Sequence, residues 1–246
     1  MTDSRIIDLF FDSGGFRLHG VLHFPDRGEP PFVIGSHGLL ADADSPKQVC
    51  LAEALSEKKI AYFRFSHRGC GKSQGDLAHG IPLAKRAEDI VNALKTLSQR
   101  IDMGPFLGLF GSSMGGAASL CLAATRFVPA LVTVAAPVRS REITATGPAD
   151  LEPDPLTTAL LKEESLRFDL SDRLSRIRNI LLFHGDEDEI VPFSNALEIE
   201  KRTTPPKHLI RFEGGDHRMS DPNHQAVFVR EATRWFVTAA EALSPP

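Results

Sequence analysis

From about residue 30 onward, short β-branched and apolar runs alternate with longer stretches whose apolar residues recur at helical spacing. That rhythm predicts βαβ units and a mainly parallel sheet with helices on both faces, an α/β fold. Phe32–Ser36, Ala61–Phe65, Phe106–Phe110, Ala130–Ala135, Asn179–Phe183 and Lys207–Phe212 read as strands. Helices are predicted from Ser45-Pro46, as cap and first residue, to about Lys58, then over Pro82–Arg100, Met114–Arg126, Ser194–Arg202 and Asn223–Leu243. In the clearest of them, Leu83, Ala87, Ile90, Val91, Leu94 and Leu97 mark the expected inward face. Ahead of this series, Ile6–Phe11 and Phe16–Phe24 flank Asp12-Ser13-Gly14-Gly15 and predict an antiparallel pair opening the sheet.

The rhythm breaks over 137–175. Pro137, Pro148, Pro153 and Pro155 exclude a long regular element early in this stretch, and Leu156, Leu160, Leu161 and Leu166 suggest short amphipathic helices after it. The segment is expected to be a small cap insertion in a single domain spanning residues 1–246.

Composition narrows the classes of partner. A formal net charge of −4 gives no reason to expect nucleic acid or an anionic membrane surface. No apolar run reaches the ~18 residues of a membrane span, and Met1–Arg5 lacks the basic-then-apolar pattern of a secretory signal. Three scattered cysteines, Cys50, Cys70 and Cys121, form no paired framework; they read as small buried residues in a reducing, cytoplasmic compartment. Oligomeric state is not readable from the sequence.

The chemistry concentrates at the ends of predicted strands. Gly111-Ser112-Ser113-Met114-Gly115 follows one strand and opens a helix. A serine at the tip of such a tight turn is held in a strained conformation, with glycines where side chains would collide, and the helix N-terminus favours developing negative charge. The glycine spacing selects Ser113 over Ser112 as nucleophile. A serine hydroxyl needs a base, and His217, in Gly214-Gly215-Asp216-His217 after the last strand, is best placed among nine histidines. The base needs an acid to hold its tautomer. The loop Asp186-Glu187-Asp188-Glu189 offers four carboxylates, with Asp188 the first choice and Asp186 the second. Ser36-His37-Gly38-Leu39-Leu40 follows another strand; Leu39 N–H, with Met114 N–H, would form an oxyanion hole, and His37 would support the loop.

The order serine, acid, histidine, each just past a strand, resembles the α/β-hydrolase superfamily over nearly the whole chain. His37-Gly38 resembles its oxyanion-loop signature, Arg68-Gly69-Cys70-Gly71-Lys72-Ser73-Gln74-Gly75 its glycine-rich turn, Gly111–Gly115 its nucleophile elbow and Gly215-Asp216-His217 its histidine loop. The match of His184-Gly185 through Val191-Pro192 to the family's acid-loop pattern places the acid at Asp188. The resemblance implies an α/β-hydrolase fold with a mainly parallel eight-stranded sheet. It further implies a serine esterase acting on a small-molecule ester of a small or medium acyl or aryl acid, with no cofactor and no metal. Within the superfamily the chain is similar to compact feruloyl/cinnamoyl-type esterases and to dienelactone-hydrolase-like proteins. It departs from dienelactone hydrolases in carrying Ser113 in place of their cysteine, and from many relatives in reading Phe65-Ser66-His67 where an aspartate is common.

Other chemistries fit less well. Gly71-Lys72-Ser73 imitates the end of a phosphate-binding loop, but Ser66 stands where that loop needs its first glycine. Asp42 and Asp44 lack metal-ligand partners at suitable spacing and read as a solvated loop. A thioesterase or acyltransferase using the same three residues, or a non-catalytic small-molecule-binding protein on the same fold, are the competing expectations.

Overall fold

The computed structural model describes residues 4–25, 28–144 and 164–243. Eight strands among them form one sheet in the order β1-β2-β4-β3-β5-β6-β7-β8. The strands are β1 (Ser4–Ser13), β2 (Phe16–Pro25), β3 (Phe32–Ser36), β4 (Ala61–Phe65), β5 (Phe106–Ser112), β6 (Ala130–Val134), β7 (Arg178–Gly185) and β8 (Thr204–Phe212). The opening pair is antiparallel as expected, and β2 also runs antiparallel to β4; every other pairing is parallel. The last strand starts earlier than its apolar run, at Thr204-Pro205-Pro206. Its position at the sheet edge explains the tolerance, because an edge residue need not donate to a neighbour.

Strands β2 to β7 are largely buried on both faces, so their side chains divide by a period of two. Phe32, Ile34, Phe63, Phe65, Leu109 and Leu182 pack with α3 (Leu83–Ser98) and α4 (Met114–Ala123). Val33, Tyr62, Phe110, Val132 and Phe183 turn the other way, onto α1 (Pro46–Glu57) and α6 (Pro222–Leu243). Two further helices are α2 (Leu77–Gly80), a single turn that periodicity did not reveal, and α5 (Ser194–Arg202). Pro46 sits in the first turn of α1, but Ser45 caps it through its backbone, with no side-chain bond.

The inward stripe of α3 differs from the one read off its apolar residues. Leu83, Arg86, Asp89, Ile90, Ala93 and Leu97 are buried, whereas Val91 is exposed. Two charged side chains complete the stripe, and an apolar-only reading rotates the face to compensate. Among the cysteines, only Cys70 is buried; Cys121 is half-buried and Cys50 exposed, because its place on α1 faces away from the sheet.

Of the expected cap over 137–175, residues 145–163, with Pro148, Pro153, Pro155, Leu156, Leu160 and Leu161, lie outside the described residues. Its flanks are short 3-10 turns at Ser140–Glu142, Glu164–Leu166 and Ser171–Arg176, with Arg139 paired to Asp169 as an isolated bridge. Among the described residues no helix is long and apolar enough to cross a membrane.

Candidate active site

The carboxyl ends of the parallel strands lie along one edge of the sheet, where loops from β3, β5, β7 and β8 converge. The loop after β5 is the sharpest. Ser113 has φ 53° and ψ −122°, a backbone conformation that a side chain seldom adopts, and Met114 follows it as the first residue of α4. The strain is held by contacts on both sides. Ser113 N–H donates to Val134 O at 2.8 Å, and Ser113 O accepts from Ala117 N–H at 3.1 Å.

The glycines of this turn are demanded by backbone approach. A Cβ on Gly111 would lie 2.4 Å from Gly115 O, as the spacing suggested. A Cβ on Gly115 would instead lie 2.1 Å from Ser36 O and 2.6 Å from His37 O. The second glycine therefore serves the seating of α4 on the loop after β3 more than the turn itself.

Ser113, His217 and Asp188 come together. Ser113 Oγ is 3.1 Å from His217 Nε2 across 104 residues of sequence. His217 Nδ1 lies 2.8 Å and 3.0 Å from the two Asp188 oxygens. A carboxylate there fixes the proton on Nδ1 and leaves Nε2 as an acceptor toward the serine. Asp188 is buried at 9% exposure. It accepts N–H bonds from Ile190 at 2.9 Å and Val191 at 2.7 Å, and His184 Nε2 lies 3.2 Å from it. Burial pushes its carboxyl up, but the bonds from His184, His217 and the Val191 N–H outweigh burial and hold it well below the usual carboxylate range. The carboxylate is thus ionised at neutral pH.

The second-choice acid is engaged elsewhere: Asp186 accepts from Arg211 Nε at 2.6 Å and from Gly214 N–H at 2.7 Å. Glu189 accepts the His217 backbone N–H at 3.1 Å and so steadies the loop rather than the ring. Lys47 ties the same loop to α1, donating from Nζ to Arg218 O at 2.7 Å. Sequence reasoning passed over both His184 and Lys47. For His184 the signal was its place in the acid-loop pattern; for Lys47 there was none.

On the other side of Ser113 lies Gly38, where an added Cβ would be 3.5 Å from Ser113 Cβ. Leu39 follows, half-buried, and its N–H meets no acceptor among the described residues. Met114, as first residue of α4, has no carbonyl one turn back within its helix to bond. Neither N–H meets an acceptor among the described residues. His37 is fully buried and does support the loop: its Nδ1–H donates to Gly38 O at 2.7 Å, and its Nε2 accepts from His67 N–H at 2.9 Å.

A groove of about 1010 Å³ opens beside this constellation, between Leu40 and Arg218, with Lys47, Pro46, Pro222 and Val229 on its walls. Its lining includes Arg218, next to His217 in the chain, but neither Ser113 nor His217. Asp44 is no ligand in waiting, since it pairs with the buried Arg64. Among the described residues no group of three or more His, Cys, Asp or Glu is arranged to hold a metal ion.

A family profile described as the alpha/beta hydrolase fold matches residues 31–156, about half of the chain. The mouse (Mus musculus) mitochondrial palmitoyl-protein thioesterase ABHD10 is 28% identical over 218 residues, covering 79% of this chain and 71% of that protein. Among solved structures, a Pyrococcus furiosus esterase superposes with a TM-score of 0.80 at 18% identity, covering 97% of this chain and 92% of the other. Est1E from Butyrivibrio proteoclasticus, solved with ferulic acid bound, gives a TM-score of 0.77 at 19% identity, with 95% and 99% covered.

Proposed function

The chain belongs to the alpha/beta hydrolase fold family, and from that premise we propose that it is a serine hydrolase that cleaves carboxylic esters by way of an acyl-enzyme. Ser113 is the nucleophile, His217 the general base and acid, and Asp188 the acid that orients the ring. The observation that carries the reading is the continuous hydrogen-bonded chain from Ser113 Oγ through His217 to a buried carboxylate, starting at a strained strand-to-helix turn.

In the first step Ser113 Oγ attacks the substrate carbonyl while His217 Nε2 takes its proton. Leu39 N–H and Met114 N–H hold the oxygen that becomes negative. The alkoxide then leaves with the proton from His217, and water repeats the sequence on the acyl-enzyme, releasing the acid and restoring the serine. Asp188, ionised and fixed, stabilises the imidazolium in both steps. These steps call on no cofactor.

The alternative leaving group is a thiol. It is favoured by the mouse relative, whose name describes a palmitoyl-protein thioesterase, and it uses the same three residues. Half-buried Leu39, Ile143 and Phe168 pack against the core cluster that includes Met114 and Leu166, which supports an apolar acyl group near Ser113. The flanks of the 137–175 insertion border the substrate path in the same reading: Thr144 N–H bonds Ile190 O at 2.8 Å, two residues from Asp188. Unpaired Cys50, Cys70 and Cys121 fit a reducing, cytoplasmic setting.

A fluorophosphonate probe tests the reading. Covalent labelling at Ser113, lost in Ser113→Ala, is the expected result. A protein that never labels would instead be a small-molecule-binding member of the fold. Rates on aryl esters from acetyl to decanoyl, on feruloyl esters and on acyl-CoA then separate ester from thioester preference.

A further inference from the structure

Arg86 is a buried charge with no direct part in the proposed acyl transfer. Arg86 lies on the inward stripe of α3, fully buried, with no solvent contact. Burying an ionised group is costly unless its donors are met, and an apolar residue of similar size is often as stable. Here the donors are met almost wholly by backbone. Nε donates to Gly80 O at 3.0 Å. Nη1 donates to His37 O at 3.0 Å and to Gly38 O at 3.3 Å, and Nη2 to Leu39 O at 3.1 Å. One guanidinium thus grips three successive carbonyls of the loop after β3.

The consequence follows from peptide geometry. In a trans peptide the C=O and the next residue's N–H lie in one rigid plane and point in opposite directions. Gly38 O belongs to the same plane as Leu39 N–H. Holding that oxygen toward α3, with His37 Nδ1–H at 2.7 Å as a second donor, turns Leu39 N–H away from α3. Gly38 itself lies against the nucleophile, an added Cβ there being 3.5 Å from Ser113 Cβ. The loop is therefore clamped between a fixed cation and the nucleophile.

We propose that Arg86 is the positioning residue of the oxyanion hole: its grip on the His37, Gly38 and Leu39 carbonyls aims Leu39 N–H at the developing oxyanion. The inference rests on the reading that Leu39 and Met114 supply the oxyanion donors. Its charge, sitting behind the peptide, also polarises that N–H toward the reacting oxygen. A preorganised donor matters more in the transition state than in the ground state, so the effect falls on kcat and not on KM.

The experiment compares Arg86→Met and Arg86→Lys with the wild type, each normalised by fluorophosphonate titration to the number of reactive serines. Two further readouts are the affinity for an arylboronic acid, which forms a tetrahedral adduct on Ser113, and for the carboxylic acid product. Arg86→Met is expected to lose about 10²-fold in kcat, the scale of one misplaced oxyanion donor, with KM changed by no more than about threefold. Boronate affinity should fall in parallel with kcat while product affinity holds. Arg86→Lys keeps the charge but cannot reach three carbonyls, so it should lie between, at about tenfold.

Wild-type kcat and boronate affinity per reactive serine in Arg86→Lys would overturn the proposal, and this variant decides if Arg86→Met fails to fold. Equal losses for boronate and product would also overturn it, since they indicate a general loosening. Both outcomes leave the Ser113 reading intact. A wild-type protein that never labels at Ser113 removes that reading and this one together.

Discussion

Among the described residues two hydrogen-bonded series of serine, histidine and aspartate differ in their surroundings, and only one of them offers what the proposed reaction needs. In the first, Ser113 meets His217 at 3.1 Å and His217 meets Asp188 at 2.8 Å. In the second, Ser36 Oγ lies 2.8 Å from His67 Nε2, and His67 Nδ1 lies 3.0 Å from Asp89. The distances are interchangeable; the surroundings are not. Ser36, His67 and Asp89 are each at most 1% exposed, so no substrate reaches them. Ser36 ends a regular strand and Ser113 occupies a strained turn at a helix N-terminus. Asp89 is shared with Arg68, whose Nε donates to it at 3.0 Å and Nη2 at 2.6 Å, and with Ser13 Oγ at 2.6 Å.

The bases also differ in what they can do. Burial, and then the Arg86 charge, push the His67 imidazole down to about 4 despite Asp89 beside it. A ring that resists protonation to that degree is a poor proton acceptor at neutral pH. It is a good bridge: neutral, donating from Nδ1 to Asp89 and accepting from Ser36. Three side chains in a hydrogen-bonded order make a catalyst only with access, oxyanion donors and a ring free to take a charge. The second series holds β3, β4 and α3 in register under the site. It also occupies the turn where many relatives carry an aspartate: His67 and Arg68, through Asp89, supply the hydrogen bonding there.

The sharpest way to break this contrast is to remove each serine in turn. Ser113→Ala should lower kcat by about 10⁶-fold with the folding transition unchanged. Ser36→Ala should keep kcat within about tenfold and cost about 1–3 kcal/mol of stability by leaving His67 Nε2 unpaired. Steady-state rates and urea unfolding measure the two; a comparable rate loss in both variants would erase the distinction.

Removing the carboxylates separates the series by observable. Asp188→Asn should reduce kcat by about 10⁴-fold through the wrong tautomer while the protein stays folded. Asp89→Ala should cost about 3–5 kcal/mol, because it strands the buried Arg68 guanidinium. Denaturation midpoints and rates on the same preparations check both. An Asp89→Ala protein of native stability would show that the lower series carries no structural load.

A smaller effect is expected from pH. The unfolded chain protonates His67 near 6.5, whereas the folded chain resists until about 4. The depressed folded value means that stability is complete above the unfolded value and is lost as pH falls between the two. The loss is about 3 kcal/mol for this group. Thermal melts from pH 7 to pH 4 isolate it as the difference between wild type and His67→Gln, which should flatten the slope over that window, while burial of His23 and His37 keeps part of the slope in both. An unchanged slope would mean that the folded protein does not hold this ring neutral.

Sequence alone determined a good deal here. The alternation of strands and helices, the antiparallel opening pair and the glycine-flanked Ser113 were legible because each is written locally, in side-chain period and in turn residues. So was the order of Ser113, Asp188 and His217, since each follows a strand whose pattern is plain. Asp188 is the first choice and Asp186 the second in the acidic loop, the acid-loop resemblance points to Asp188, and in the structure Arg211 engages Asp186.

What only the tertiary structure decided concerns burial and partners distant in the chain. Nothing in Leu83–Ser98 announces that Arg86 and Asp89 face inward, because a charged residue reads as solvated until the chain supplies carbonyls and a guanidinium to meet it. Nor does the sequence tell Ser36 and His67 from a reactive pair. Reactivity depends on whether water, substrate and a proton can reach a group, and that is fixed only when elements far apart in sequence close over it.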